Sequence, residues 1–277
     1  MPVIRSGRQT AAHWDSLPIP KLKKIDAAGG PVRTVCEAAG GGRGGTWNQD
    51  DFIVYGTSTG GLFRVRAEGG TPVALSQLDR IAGENNHRTP WFLPDGKHFL
   101  YTSRSLNGSK TRVYVDSIEA TPGSHTRREV LAADTNVIYV PSAVPSLGFS
   151  EKGYLLFVRD RTLMAQPFDP AILQTTGEAI PVADQVDFFS DFSQGQFSAS
   201  RNGTLIYTSG AAAAASSQLT WFDRGGKPIG NVGKPADILG PRISPDGLTV
   251  ATDPADSGGA RDIWLHDLVR GTSSRFT

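Results

Sequence analysis

A single cysteine, Cys36, among 277 residues excludes an intrachain disulfide and any zinc cluster built on thiolates. On an apolar run such a residue serves as a small hydrophobe. No stretch of about 18 apolar residues occurs, so no membrane-spanning helix is expected. The opening MPVIRSGRQTAAHWDS lacks the apolar segment of about 7–15 residues that a secretory signal needs. The chain is therefore expected to be soluble and to remain where it is made. Charge bias is missing too: 28 Lys plus Arg face 27 Asp plus Glu, a net of +1, so no global field draws the protein to nucleic acid or an anionic membrane.

Catalytic and metal signatures are equally sparse. The five histidines, His13, His87, His98, His125 and His266, show no HxH or HExxH spacing, which argues against zinc. Asp253, Asp256 and Asp262 in TDPADSGGARD depart from the calcium-loop pattern and lack its closing glutamate. They read as a loop between strands. No GxSxG elbow is present. A Ser-His-Asp triad is recognised by geometry and not by chain order, so sequence alone does not exclude one. No metal or cofactor is expected.

What the chain has in quantity is glycine (32) and proline (18), the residues of tight turns. It also has an echo: PWFLPDG at 90–96 returns as PRISPDG at 241–247. Each copy continues into short apolar runs. KHFLYTSR and TRVYVDSI follow the first, LTVATDPA and RDIWLHDL the second. The same grammar recurs at 46–75, 147–186 and 197–233, and KLKKIDAAGGPVRTVC (21–36) supplies the last two parts of another unit. The turn anchors Asp51, Gly96, Gly153, Gly203 and Gly247 are separated by 45, 57, 50 and 44 residues. A period of about 40–50 residues carrying four short strands predicts β-propeller blades.

In this reading Asp95-Gly96, Asn202-Gly203 and Asp246-Gly247 turn the first strand of a blade into the second, with Pro94 and Pro245 fixing φ at the entry. Ala28-Gly29-Gly30, Glu68-Gly69-Gly70 and Arg224-Gly225-Gly226 turn the third strand into the fourth. The expected fold is all-β, a propeller of five to six four-stranded blades, with units at about 21–40, 45–76, 89–132, 137–186, 195–233 and 239–277. The first unit lacks its inner strands. Either residues 1–20 supply them, Pro2-Val3-Ile4 being one weak candidate, or the ring is incomplete. An open blade face predicts association with further copies of the chain.

The units resemble the WD40-like, TolB-type propeller repeat, with Ser244 to Gly247 matching its SPDG turn and Leu93 to Gly96 nearly so. Longer strings, among them HRTPWFLPDGKHFLY, YLLFVRDRTLMAQPFD and GARDIWLHDLVRGTSSRFT, resemble the propeller half of bacterial membrane-bound serine/threonine kinases. The similarity runs over about residues 21–277, and no glycine-rich ATP loop, HRD or DFG string accompanies it. The resemblance implies a sensor or scaffold placed outside the cytoplasm, and a propeller that is part of a longer protein.

The most interesting stretch is GENNHRTPW at 83–91, expected on the connection into a blade and hence near the mouth of the central channel. Glu84, Asn86, His87 and Arg88 there offer a base, amide groups and a cation, a candidate binding site for a small polar ligand or a partner protein. Two functions follow. The first is a non-catalytic binding module. The second is an ester or lactone hydrolase in which His87 is the general base and Arg88 or backbone N–H groups hold an oxyanion. A purely structural part for His87, bracing the next blade by hydrogen bonds as histidines do in WD40 blades, is the competing reading. The run 211–217 reads as a loop between strands, and Lys21, Lys23 and Lys24 as the solvent side of a strand.

Overall fold

The computed structural model describes residues 3–4, 10–14, 21–26, 30–38, 40–105, 111–124, 126–142, 152–209, 216–223, 226–238, 240–254 and 262–276. His125, Asp256, Ala28-Gly29, Arg224-Gly225, the alanines at 211–215 and the stretch 147–150 of the fourth unit lie outside them, as does the side chain of His13.

The described residues form small antiparallel sheets and one short 3-10 turn. The first sheet contains β1 (Val3–Ile4), β2 (Thr10–Trp14), β3 (Lys21–Asp26) and β4 (Arg33–Glu37), paired in that order, so two strands from 1–20 complete the unit that begins at Lys21. The second contains β5 (Gly42–Trp47), β6 (Phe52–Thr57), β7 (Leu62–Arg66) and β8 (Val73–Ala74). The third contains β9 (Glu84–Phe92), β10 (His98–Ser105), β11 (Arg112–Ser117) and β12 (Arg128–Ala132).

The fourth contains β13 (Ile138–Pro141), β14 (Gly153–Arg159), β15 (Thr162–Asp169), β16 (Gln174–Thr175) and β17 (Ile180–Ala183), with β16 and β17 both on β15. A small hairpin, β18 (Phe188–Phe189) and β19 (Gln194–Gly195), closes around the 3-10 turn Ser190–Phe192. Then come β20 (Phe197–Ala199) with β21 (Leu205–Tyr207), β22 (Ser217–Phe222) with β23 (Pro228–Ala236), and a last four-stranded sheet of β24 (Arg242–Ile243), β25 (Thr249–Thr252), β26 (Trp264–Asp267) and β27 (Thr272–Arg275). The architecture is an all-β propeller.

One expectation about its units is corrected. The unit at 195–233 is not one four-stranded sheet but two separate hairpins. Its chain leaving β21 pairs Ser209 with Val186, and the Thr208 carbonyl accepts the Asp187 N–H at 2.9 Å, so bonding groups that a third strand would use are already engaged. β23 also carries Pro228 and Pro235, and proline confines a strand to an edge. In the fourth unit β13 pairs with β14.

The middle strands read as unbroken apolar runs because both of their faces are covered. Along β6, Ile53 and Tyr55 pack with Leu22, Val35 and Trp47 toward the first sheet, and Val54 packs with Phe99 and Tyr101 toward the third. Along β14, Leu155 and Phe157 face the third sheet, and Leu156 and Val158 join Phe197 on the other side. Successive strand residues point to opposite faces, so the core is a set of apolar layers, one between each of these neighbouring blades.

The echoed motif has a double task. Leu93-Pro94-Asp95-Gly96 and Ser244-Pro245-Asp246-Gly247 are turns in which the glycine N–H donates back three residues, at 3.0 and 2.9 Å. Only the glycine takes positive φ (65° and 73°), so these are type I turns ending in a left-handed residue, and not turns in which the Asp also crosses to positive φ. The Asp95 and Asp246 carboxylates accept the next free N–H groups. Each turn is also clasped by the turn before it: Asn48 Nδ2 donates to the Gly96 carbonyl, and Asn202 Nδ2 to the Asp246 carbonyl, both at 2.8 Å. Hydroxyls tie the inner strands in the same rhythm, Thr46 accepting the Phe92 N–H at 3.1 Å and Ser198 the Ile243 N–H at 3.3 Å.

Candidate functional site

Glu84, Asn86, His87 and Arg88 lie on β9 itself, the inner strand of the third blade, and not on a loop leading to it. The extended backbone continues through them because Ser105, Arg104, Ser103 and Thr102 of β10 pair opposite. A bulge between Arg104 and Ser105 leaves Asn85 as an extra residue. An extra residue shifts the alternation of faces, and the quartet splits into two pairs: Glu84 with His87, and Asn86 with Arg88.

The first pair is a closed hydrogen-bonded chain. Ser76 Oγ accepts the Leu62 N–H at 2.8 Å, which frees its hydroxyl hydrogen for His87 Nδ1 at 2.7 Å. The ring hydrogen then sits on Nε2 and goes to Glu84 Oε2 at 3.0 Å. Arg127 Nη1 donates to both carboxylate oxygens of Glu84 at 2.9 and 3.0 Å, and the Asp79 N–H donates at 2.7 Å. His87 is 0% exposed, and its ring lies 4.9 Å from that of Tyr101. Burial alone would raise the Glu84 pKa; the bonds from His87, Arg127 and the Asp79 N–H outweigh it and hold the carboxyl at about 2.

The second pair belongs to a cationic corner. Arg88 Nε donates to Asn86 Oδ1 at 2.7 Å, and its Nη1 to the Asp191 carbonyl at 3.1 Å. Arg104 Nη1 donates to the same carbonyl at 2.7 Å. Burial, and then the charges of Arg104 and Arg43, bring the Arg88 pKa down to about 10.

A second irregularity, opposite the step from Leu100 to Thr102, falls at Thr89, whose φ of 49° is costly for a β-branched residue. Its hydroxyl meets that of Thr102 at 2.8 Å. Gly44 answers it across the blade boundary: a Cβ there would lie 3.0 Å from the Thr89 Cα. Beyond Thr89 the inner strands β5, β9, β13, β20 and β24 wall a central cavity of about 440 Å³. Its polar lining includes Thr46, Asn48, Asn136, Ser198, Ser200 and Arg242. Arg242 Nη1 also donates to the Phe197 and Pro241 carbonyls at 3.3 and 3.0 Å. Among the described residues that line it, none is a carboxylate, imidazole or thiol.

The remaining sequence candidates stand apart. His98 meets Asp95 at 2.5 Å on the exposed side of a turn. His266 is buried between Thr252 Oγ1 (2.9 Å) and Ser273 Oγ (2.8 Å), and burial lowers its pKa. Asp253 and Asp262 flank the link between β25 and β26, and Asp262 pairs with Arg275 at 2.8 Å. No cluster of metal-ligating side chains occurs among the described residues, and no helix among them is long and apolar enough to cross a membrane. Sequence reasoning missed Ser76, Arg127, Arg43 and Arg104. None sits in a motif, and each meets its partners only in the folded chain.

No family model matches the chain, and no curated protein matches it. Solved structures do. A puromycin-hydrolyzing peptidase of Mycobacterium tuberculosis superposes with a TM-score of 0.65 at 11% identity, over 99% of this chain and 52% of that one. XC5397 of Xanthomonas campestris, a gluconolactonase, gives 0.62 at 15% identity, over 95% and 84%. A protein described as TolB from Agrobacterium tumefaciens gives 0.55 at 14%, over 89% and 84%. The chain thus spans about half the length of the puromycin-hydrolyzing structures that it matches. These likenesses establish the propeller fold, which TolB-type proteins and hydrolases share, and fold does not by itself carry function.

Proposed function

We propose that this chain is a non-catalytic binding propeller, the sensor or scaffold part of a longer protein, and that it takes a small polar ligand or a partner's side chain in its central channel. One observation carries the reading. The strongest candidate base, His87, is 0% exposed, and both its ring nitrogens are already engaged inside the fold. Glu84 and His87 then act as a brace behind the channel wall, and Arg88 with Asn86 supports its rim.

The channel itself suits recognition. Thr46 and Ser198 each accept a backbone N–H from the next blade, which leaves their hydroxyl hydrogens as donors. With Arg242 they form a donor-rich wall fixed by the inner strands. Such a wall favours carbonyl, carboxylate or sugar oxygens and needs little reorganisation on binding.

A second reading has its own observation. Ser76, His87 and Glu84 form a serine–histidine–carboxylate chain, and Ser76 is only partly buried. An ester or lactone hydrolase built there would use His87 as base toward Ser76, and the names of the hydrolytic neighbours agree with that chemistry. One experiment separates the two. The protein and its Ser76→Ala and Thr46→Val variants are exposed to a panel of short esters, lactones and hydroxy acids, following melting temperature and product together. The binding reading expects a saturable rise in melting temperature without product, unchanged in Ser76→Ala and diminished in Thr46→Val. Product made by the wild type and lost in a folded Ser76→Ala variant would establish the hydrolase instead, and no shift with any compound would end the channel reading.

A further inference from the structure

Three arginines converge on one short segment. Arg88 from β9 and Arg104 from β10 both donate to the Asp191 carbonyl, at 3.1 and 2.7 Å. Arg43, from β5, lies with its guanidinium carbon 5.0 Å from the centre of the Phe192 ring, one residue further on. The acceptors around them are neutral: Asn86 Oδ1 and the Asp191 carbonyl for Arg88, the same carbonyl for Arg104, and the Gly42 carbonyl for Arg43 at 3.1 Å. None of the three forms an ion pair among the described residues. Arg43 Nε is buried and has no hydrogen-bond partner there.

Like charges brought together inside a fold raise its energy, and a buried cation without an opposite charge is more costly still. The arrangement also resists relaxation. Arg88 is only 1% exposed and cannot swing out to water, and the bulged strand that carries it is pinned by Gly44 and Thr89. Arg43 and Arg104 are only partly buried, so from outside they are the accessible members of the trio. Their planar, multi-donor heads suit an oxyanion group held by two or more charge-assisted bonds.

We infer that Arg43, Arg88 and Arg104 form an oxyanion-binding site at the mouth of the propeller, which takes a carboxylate or phosphate group between Arg43 and Arg104 with Arg88 reinforcing the field behind them. This site does not require the channel to hold a ligand. The two could nevertheless take one extended anionic molecule.

The test uses inorganic phosphate and malonate as separate probes, at constant ionic strength set with sodium chloride, and reads melting temperature and heat of binding. The expected result is saturable stabilisation by at least one of them, which also tells phosphate from carboxylate chemistry. Arg43→Gln and Arg104→Gln should each weaken apparent affinity by about tenfold or more, the scale of losing one charged hydrogen bond. Arg104→Lys, which keeps the charge, should recover part of it. Thr46→Val, which removes a channel hydroxyl and keeps all three arginines, should leave it unchanged, so failure of this site and failure of the channel reading are told apart. Without anion, Arg104→Gln should melt no lower than wild type, because it relieves repulsion. Absence of saturable stabilisation by both probes, or equal affinity in all variants, would overturn the inference.

Discussion

Gly203 and Gly247 occupy the same place in two successive turns, and replacing each with alanine separates two energies that the fold combines. Both have positive φ, 85° and 73°, so either alanine costs about 1–2 kcal/mol for entering the left-handed region. At Gly203 the added Cβ meets nothing within 4 Å. At Gly247 it would lie 2.6 Å from Nδ2 and 2.8 Å from Oδ1 of Asn202, the side chain that clasps the Asp246 carbonyl at 2.8 Å. Losing that hydrogen bond adds about 0.5–1.5 kcal/mol. Gly247→Ala should therefore be the more destabilising by about 1 kcal/mol, measured by urea denaturation. In an Asn202→Ala background the two substitutions should become equal, because the clasp is already gone. Equal effects in the unmodified background would show that the clasp between turns contributes nothing, and the reasoning about why that glycine is there would fail.

Two further outcomes follow from buried groups. Glu84 has its carboxyl held at about 2 against an ordinary value of 4.5, a depressed pKa, so its contribution is complete above 4.5 and is lost as pH falls toward 2. At about 1.4 kcal/mol per unit the contribution is on the order of 3 kcal/mol. Glu84→Gln should be less stable at neutral pH and should lose less than wild type between pH 5 and 3 (roughly the window of titration); parallel curves would contradict the network. Cys36 is 6% exposed, and burial raises its thiol pKa. A thiol reagent should leave it unlabelled in the native protein and label it once urea unfolds the chain; rapid native labelling would place it outside the core.

The propeller is legible because its signals are local. Asp95-Gly96 and Asp246-Gly247 specify a turn within four residues, and runs such as Phe52–Thr57 and Gly153–Arg159 announce strands covered on both faces. The candidate site is legible only in part. The four polar residues of β9 stand together in the sequence, but a single bulge, set by pairing with β10, separates them into a brace and a cationic corner. No periodicity reveals a bulge. Ser76, Arg127, Arg43 and Arg104 come from other strands or connections and acquire meaning only through contact. The divided fifth unit was hidden for the same reason, since its strands compete with Val186 and Asp187 from the preceding connection.

The clasp between turns has a direction. Asn48 and Asn202 give, and the carbonyls of Gly96 and Asp246 receive, so each joint is head-to-tail and no joint is its own mirror. Joints of that kind are satisfied in full only when an array bends round to meet itself. Because the giving side chain stands in the turn of one unit and the receiving carbonyl in the turn of the next, the units act as polar tiles. Lengthening or shortening such an array by one tile alters its curvature and its bore without asking for a new kind of joint.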